Sequence, residues 1–327
     1  MTTRRQSPSV SLSRRSFVAA ASSAGFGLAA CDFGPPMRIA LHPWPGYEFM
    51  RLASRSGLVP RGSATIVDTE TVQQSLDMLA NGSADGAGLT LDQILGARAS
   101  GLDLCIALVF DVSAGADAVL AIPTIDAVSA LRRRRVGVET STLGTVMVAK
   151  VLQAAGLNRT DVAIVDMDED HIAAWDKGNL DAIITYEPSL TKLRSRGLKT
   201  IFDSRSLPKL IVDVLAVRRG LSGRRAEGLR ALISGHFTMV EAWQKAPTDT
   251  AYQLASMTDT TVEAIFDTFR GMDFPDAVYN RRYLSSPALE MTLAAKDLIE
   301  ILLKAGALAK LPPIEGLFVA DFLPRGR

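Results

Sequence analysis

Cysteine and histidine are scarce in this 327-residue chain, which holds two Cys and three His. Two thiols cannot build a Cys-ligated zinc site, and His42, His171 and His236 show no ligand spacing. No metal or cofactor is therefore expected. Net charge is short as well. Lys and Arg total 36 against 35 Asp and Glu, so the totals carry no nucleic-acid footprint. No Gly-x-Ser-x-Gly elbow occurs, which removes the α/β-hydrolase arrangement. No run is long and apolar enough to cross a bilayer. What the chain does have is apolar bulk. At 47% hydrophobic residues it can fill the cores of two ordinary domains.

Charge is unevenly spread. Residues 1–30 contain Arg4, Arg5, Arg14 and Arg15 and no acid, and removing them turns +1 into −3. Ser13-Arg14-Arg15-Ser16-Phe17-Val18 resembles the twin-arginine export motif. Phe17 to Ala30 is a short apolar stretch of small residues, so 1–30 reads as a signal peptide. Leu28-Ala29-Ala30-Cys31 resembles a bacterial lipobox, which implies that Cys31 is acylated, with palmitate among the chains, and opens the mature protein. An ordinary cleavage site with a cysteine nearby is the alternative. Residues 31–36 then form a lipidated linker. Two or more acyl chains anchor a protein stably. Asp32 resembles a signal for retention on the inner membrane. The expected body is tethered to the cell membrane on its extracytoplasmic, periplasmic side.

The stretch that organises the rest is Arg38-Ile39-Ala40-Leu41-His42-Pro43-Trp44-Pro45-Gly46-Tyr47-Glu48. It reads as a buried strand, a Pro/Gly turn with two aromatics, and a helix start. Ligands in open α/β sheets sit outside the carboxyl ends of strands. Strands follow at 64–68, 85–89 and 104–110, with helices between them, one capped by Thr71 and stopped by Asn81-Gly82. This is a doubly wound pattern. Further strands are expected at 118–122, 136–139, 162–165, 181–184, 199–202 and 211–217. The run Arg132–Arg135 reads as a solvated turn before a strand. Asp166–Asp170 lacks the glycine and spaced ligands of a calcium loop and reads as a turn and helix start. From Ser222 only helices are expected, at 226–244, 248–255, 261–271 and 288–305.

Trp44-x-Gly46-Tyr47-Glu48, Asn81-Gly82-x-x-Asp85, Val136-Gly137-Val138, Gly178-Asn179-Leu180-Asp181 and Tyr186-Glu187-Pro188 together resemble substrate-binding proteins of nitrate/taurine/sulfonate-type ABC importers. That group includes binding proteins for the thiamine pyrimidine precursor. The resemblance covers roughly residues 37–305. It implies a type II periplasmic-binding-protein-like fold: two α/β lobes joined by two crossover strands, with a helical C-terminal tail. Lobe 1 would be 37–115 plus 215–327, and lobe 2 would be 116–214. The crossovers would fall near 115–120 and 212–217. The lobes would close on ligand about a hinge.

The same resemblance puts the site at strand ends and helix starts: Trp44, Tyr47, Thr90, Asp92, Asp111, Ser113, Glu139, Ser141, Gly144, Tyr186, Glu187 and Asp213. Ser141 and the amides through Gly144 either cradle an anion or simply cap a helix. The acids either meet the ligand or serve as caps and arginine partners. Five acids together oppose a plain oxyanion, while Trp44, Tyr47 and Tyr186 suit a flat ring or a cation. The favoured ligand is amine-bearing, zwitterionic or heterocyclic, with a sulfonate as the alternative. The expected partners are a small molecule, an ABC permease and ATPase, and the membrane through its lipid. A monomer without enzymatic activity is expected. A tethered sensing lipoprotein and an enzyme on the same fold are the rivals. Enzymes of this fold that make the thiamine pyrimidine carry cysteine-rich and histidine chemistry that this sequence lacks.

Overall fold

A computed structural model describes residues 35–325. Residues 1–30, read as a signal peptide, Cys31 and all but the end of the expected linker lie outside the described residues. Two sheets organise the rest. The first has the order β11-β4-β10-β3-β1-β2 and the second β7-β6-β8-β5-β9.

The first sheet starts with β1 (Met37–Leu41), which is buried except for Arg38. It lies between β2 (Ala64–Asp68) and β3 (Gly86–Thr90), parallel to both. A 3-10 turn, Pro45–Tyr47, leads from β1 into α1 (Glu48–Arg55), with Pro45 where a helix start tolerates a missing N–H. Helices α2 (Val72–Ala80) and α3 (Leu91–Ala99) follow β2 and β3. Thr71 caps α2 by accepting from the Gln74 N–H at 3.1 Å. Strand β4 (Leu104–Ser113) is buried over its whole length. Its apolar run places it mid-sheet, and its polar end, Asp111 to Ser113, reaches the sheet's rim.

The chain then crosses to the second sheet. Strand β5 (Asp117–Ala121) is antiparallel to β8 (Ala182–Tyr186) and β9 (Lys199–Asp203). Strand β6 (Arg135–Glu139) is parallel to β7 (Ala163–Met167) and β8. The helices here are α4 (Thr142–Ala155), α5 (His171–Asp176) and α6 (Ser189–Ser195). Arg132 and Arg135 pair with Asp161 and Asp181, and Asp170 caps α5 at the Ala173 N–H. The arginine run and the acidic loop are thus surface features.

Strand β10 (Val212–Arg218) returns to the first sheet between β4 and β3, antiparallel to both. The passages between sheets are residues 114–116 and 204–211. The expected crossovers at 115–120 and 212–217 are largely strands of one sheet each, because their apolar residues are paired and buried there.

The tail holds α7 (Gly223–Lys245), α8 (Pro247–Thr258), α9 (Val262–Phe269), α10 (Ala277–Leu284) and α11 (Leu289–Lys304). It is not purely helical. Strand β11 (Met272–Asp273) adds to the edge of the first sheet beside β4. Helix α7 packs on α1 and β1, while α11 touches both α3 and α4. Buried Arg98 clamps the last segment by donating to the Leu104, Pro313 and Glu315 carbonyls. Among the described residues, no helix is long and apolar enough to cross a membrane.

Candidate functional site

The rims of the two sheets carry the residues of interest. Strand register brings three of them into one row. Asp213 on β10 stands opposite Asp111 on β4 and opposite Thr90 on β3. Directly opposed residues of an antiparallel pair share a face, with Cβ atoms about 5 Å apart. Asp111, Asp213 and Thr90 therefore form a polar row across three neighbouring strands.

The loop after β1 supplies donors to this row. Trp44 Nε1 donates to Asp111 Oδ2 at 3.0 Å, and the Tyr47 hydroxyl donates to Asp213 Oδ1 at 2.9 Å. Two glycines make the approach possible. A Cβ on Gly46 would stand 1.8 Å from Asp111 Oδ2, and one on Gly88 would stand 2.6 Å from the Tyr47 ring. Tyr47 is fully buried, and its ring packs on Phe110 and His42. It was expected to offer a stacking face. The glycine beneath it lets the ring sink into the core, leaving only its hydroxyl for the row. Trp44 meets Tyr186 of the second sheet edge-on, with centroids 6.0 Å apart.

The acids of this row are buried, and Asp111 Oδ1 lacks a hydrogen-bond partner, as does Oδ2 of Asp117 on β5. Burial pushes Asp111 up to about 8, with the negative field of Asp117 and Asp273 adding to it and the Trp44 indole opposing. Burial, then the facing Asp111, raises Asp213 well above the usual carboxylate range. Asp117 is pushed up to about 7, and Asp92 upward, mainly by burial. Asp92 accepts from the Thr142 hydroxyl at 2.5 Å, a bond from the first sheet's α3 to the second sheet's α4.

On the second sheet, Glu139 ends β6. It accepts from the Tyr186 hydroxyl at 2.8 Å and lies 3.2 Å from His171 Nε2. His171 is buried, with Nδ1 2.9 Å from Thr185 Oγ1. Burial would raise Glu139, yet the bonds to His171, Tyr186 and Ser141 outweigh it and hold the carboxyl below its usual value. A cavity of about 10 Å³, room for one water, lies among Glu139, His171, Tyr186, Ser141 and Asp117.

Several expected contacts have structural duties. Ser141 Oγ accepts from the Gly144 N–H at 3.0 Å, so it caps α4. A Cβ on Gly144 would lie 2.2 Å from the Glu139 carbonyl, so this glycine seats the helix against the strand end. Glu187 accepts from the Thr191 hydroxyl and amide at 2.8 and 3.2 Å, which binds it into the start of α6. Ser113 Oγ is 2.7 Å from Ser204 Oγ, which also accepts from the Gly115 N–H, so Ser113 ties the two passages together. Sequence reading did not name Asp117, His171 and Thr185 as site residues, whereas Thr142 belonged to the helix start it offered for an anion. His171 and Thr185 have their partners on other segments, so no local spacing announces them. Among the described residues, no group of three His, Cys, Asp or Glu is placed to hold a metal ion.

Residues 63–219 match the NMT1/THI5-like family. The matched segment runs from the start of β2 through β10 and so includes every acid of the row. A search of curated proteins finds no match. Solved structures extend the likeness to nearly the whole chain. The periplasmic aliphatic sulphonate binding protein SsuA of Escherichia coli superposes with a TM-score of 0.72 at 18% identity, covering 90% of this chain and 95% of that one. The alkanesulfonate-binding SsuA of Xanthomonas axonopodis pv. citri, bound to MOPS, gives 0.68 at 17% identity, covering 85% and 96%. A cysteine-to-serine mutant of DSZB, in complex with biphenyl-2-sulfinic acid, gives 0.61 at 14% identity, covering 87% and 97%. At these identities the likeness establishes the fold, which is that of the periplasmic binding proteins.

The DSZB likeness raises the question of a thiol. Cys105 is the free cysteine among the described residues. It is buried at the far end of β4, six residues and roughly 20 Å from Asp111 at about 3.3 Å per residue. Burial pushes its thiol up to about 11. A thiol so placed is a poor nucleophile.

Proposed function

We propose that this protein is the extracytoplasmic solute-binding component of an ABC importer, tethered through Cys31, and that it captures a small amine-bearing, zwitterionic or heterocyclic solute between its two sheets. The fold and the family match support the binding role. One observation carries the solute class: the row Asp111–Asp213, with Asp117 beside it, presents buried acceptor oxygens that have no donor. A sulfonate brings more acceptors and more negative charge to that place. An N–H-bearing group brings what those oxygens lack. Arg51, whose field reaches Tyr47 and His42, is occupied by Glu48, Asp68 and the Leu41 and His42 carbonyls, so it does not change the balance. The placement of Cys105 favours binding over chemistry of a thiol kind.

Thermal unfolding against a panel tests this. The panel comprises ethanolamine, choline, glycine betaine, 4-aminopyrimidine, taurine and ethanesulfonate. A solute at about 100 times its Kd adds about 2.7 kcal/mol to stability. An amine or aminopyrimidine is expected to raise the melting temperature by several degrees while ethanesulfonate leaves it unchanged. Stabilisation by sulfonates alone overturns the solute class.

A further inference from the structure

We infer that the Asp111–Asp213 pair is a proton-exchanging seat for a protonated primary amine or amidine, whose N–H⁺ group takes the place of a proton that the pair retains in the free protein. This rests on the amine reading above and adds to it a coupling to pH and a choice among cations.

The register carries the argument. Asp111 and Asp213 stand directly opposite each other on adjacent strands, inside the first sheet and out of water. Like charges so placed are destabilising, and two carboxylates sharing a dry site do not both ionise. The fixed donors do not suffice. Trp44 Nε1 serves one oxygen of Asp111 and the Tyr47 hydroxyl one oxygen of Asp213. Asp111 Oδ1 stays unpartnered, although the residue is fully buried. Among the described residues, the charges that act on the pair include no cation. Asp117 faces the pair from β5, Asp92 from α3, Asp273 from β11 and Tyr47 from the loop after β1, and all are acids. Arg51 on α1 acts at Tyr47 and His42 rather than on the pair and is itself paired. The upward push on both carboxyls agrees with a retained proton.

The exchange balances simply. A cation arrives already charged, one carboxyl O–H bond breaks, the proton leaves to solvent, and the carboxylate formed accepts from the incoming N–H. An unpartnered acceptor needs a donor, so a primary ammonium or amidinium fits where a quaternary ammonium leaves Asp111 Oδ1 unsatisfied. Proton and cation compete, so affinity for a permanently charged probe rises with pH, by at most about tenfold per unit for one proton.

The test uses the full chain with ¹³C-labelled aspartate carboxyls, titrated by NMR. Carboxyl signals of Asp111, Asp213 and the neighbouring Asp117 are expected to titrate above pH 6, and those of the pair to be lost or moved in Asp111→Asn and Asp213→Asn. Trp44→Phe, which keeps both acids, is expected to move the same signals to still higher pH, and it serves where the Asn variants fold poorly. All aspartates titrating below pH 5 overturns the inference. In parallel, ethanolamine is expected to stabilise the chain more at pH 8 than at pH 6, and more than choline does at either. Equal effects at both pH values, equal effects of the two amines, or no effect of ethanolamine at high millimolar concentration each count against the seat. If only sulfonates stabilise the chain, the amine reading itself fails. If amines stabilise it while every aspartate titrates normally, only the proton exchange fails.

Discussion

Acids line both sheet rims, and Glu139 on one is held in the opposite way to the Asp111–Asp213 pair on the other. On the second sheet, Glu139 is met by Tyr186, His171 and Ser141, and its pKa is drawn down despite burial. On the first, Asp111 and Asp213 have one side-chain donor each, face one another, and are pushed up. Burial penalises the charged form on both rims. For Glu139, three bonded partners outweigh burial, while one side-chain donor each does not for Asp111 and Asp213. Glu139 is a finished ion, pinned as part of a His171–Glu139–Tyr186 unit that fixes the wall. Asp111 and Asp213 are unfinished, and a group with N–H donors completes them. Framework and seat are thereby told apart by how many donors each acid already has.

The largest effect should come from spoiling the unfinished rim. Gly46→Ala places a methyl 1.8 Å from Asp111 Oδ2 and 2.8 Å from the Trp44 indole nitrogen. Either the carboxylate swings away or the loop lifts, and in both cases the Trp44–Asp111 bond is lost. Affinity for whichever solute stabilises the wild type is expected to fall by more than about 100-fold, close to about 3 kcal/mol. Calorimetric titration reads it, and melting temperature is expected to drop by several degrees. Wild-type affinity in this variant would mean that the row is not where the solute sits.

Much of this rim is legible in the sequence, and the limits are physical. The strand, Pro/Gly turn and helix around Trp44 and Tyr47 are local features, and they stand where the spacing puts them. Asp111 and Asp213 flank long apolar runs, which announces a polar strand end. Their mutual opposition does not show, because it is set by the pairing of two strands far apart in the chain. Glu187 illustrates the converse. Its neighbour Thr191, four residues on, makes it a helix-start partner, and the sequence allowed that reading beside ligand contact. Helices α6 and α10 went unread for a different reason. Each is a turn or two long, and their Arg, Lys and Ser residues break the apolar period. Strand β11 is two residues long, below any sequence signal.

Breaking the finished rim should cost stability rather than selectivity. Glu139→Gln keeps the shape but removes the charge that three donors serve. Hydrogen bonds to a charged group contribute about 1.5–3 kcal/mol, so a loss of that order at pH 7 is expected, read by denaturant unfolding. The pH dependence has a definite sign. The folded-state pKa of Glu139 lies below its value of 4.5 in the unfolded chain, so its contribution is present above that value and fades as pH falls through the folded one. The variant is expected to lack that part of the acid limb. Asp111 runs the other way. Its folded value, about 8, lies above the unfolded 3.8, so its environment favours folding at low pH and loses that advantage as pH rises through about 8. Wild-type stability is therefore expected to peak between these limbs. An unchanged acid limb in Glu139→Gln would remove the contrast between the rims.

The smallest effect is expected where an acid lies outside both rims. Asp297 on α11 pairs with Lys150 on α4 at 3.3 Å, and its side chain is 57% exposed. Exposed ion pairs contribute about 0–1 kcal/mol. Helix α11 touches α3 as well as α4, so this pair is one link among several between the tail and the second sheet. Asp297→Asn is expected to move the melting temperature by about 1 °C or less and to leave solute affinity within about twofold. A larger loss of affinity would show that α11 holds the two sheets in their binding arrangement, and would shift weight from the buried carboxyls to the helix that spans them. The double variant Lys150→Gln with Asp297→Asn separates these outcomes, since a tether fails by the same amount whichever partner is removed, whereas a mere surface pair leaves affinity untouched throughout.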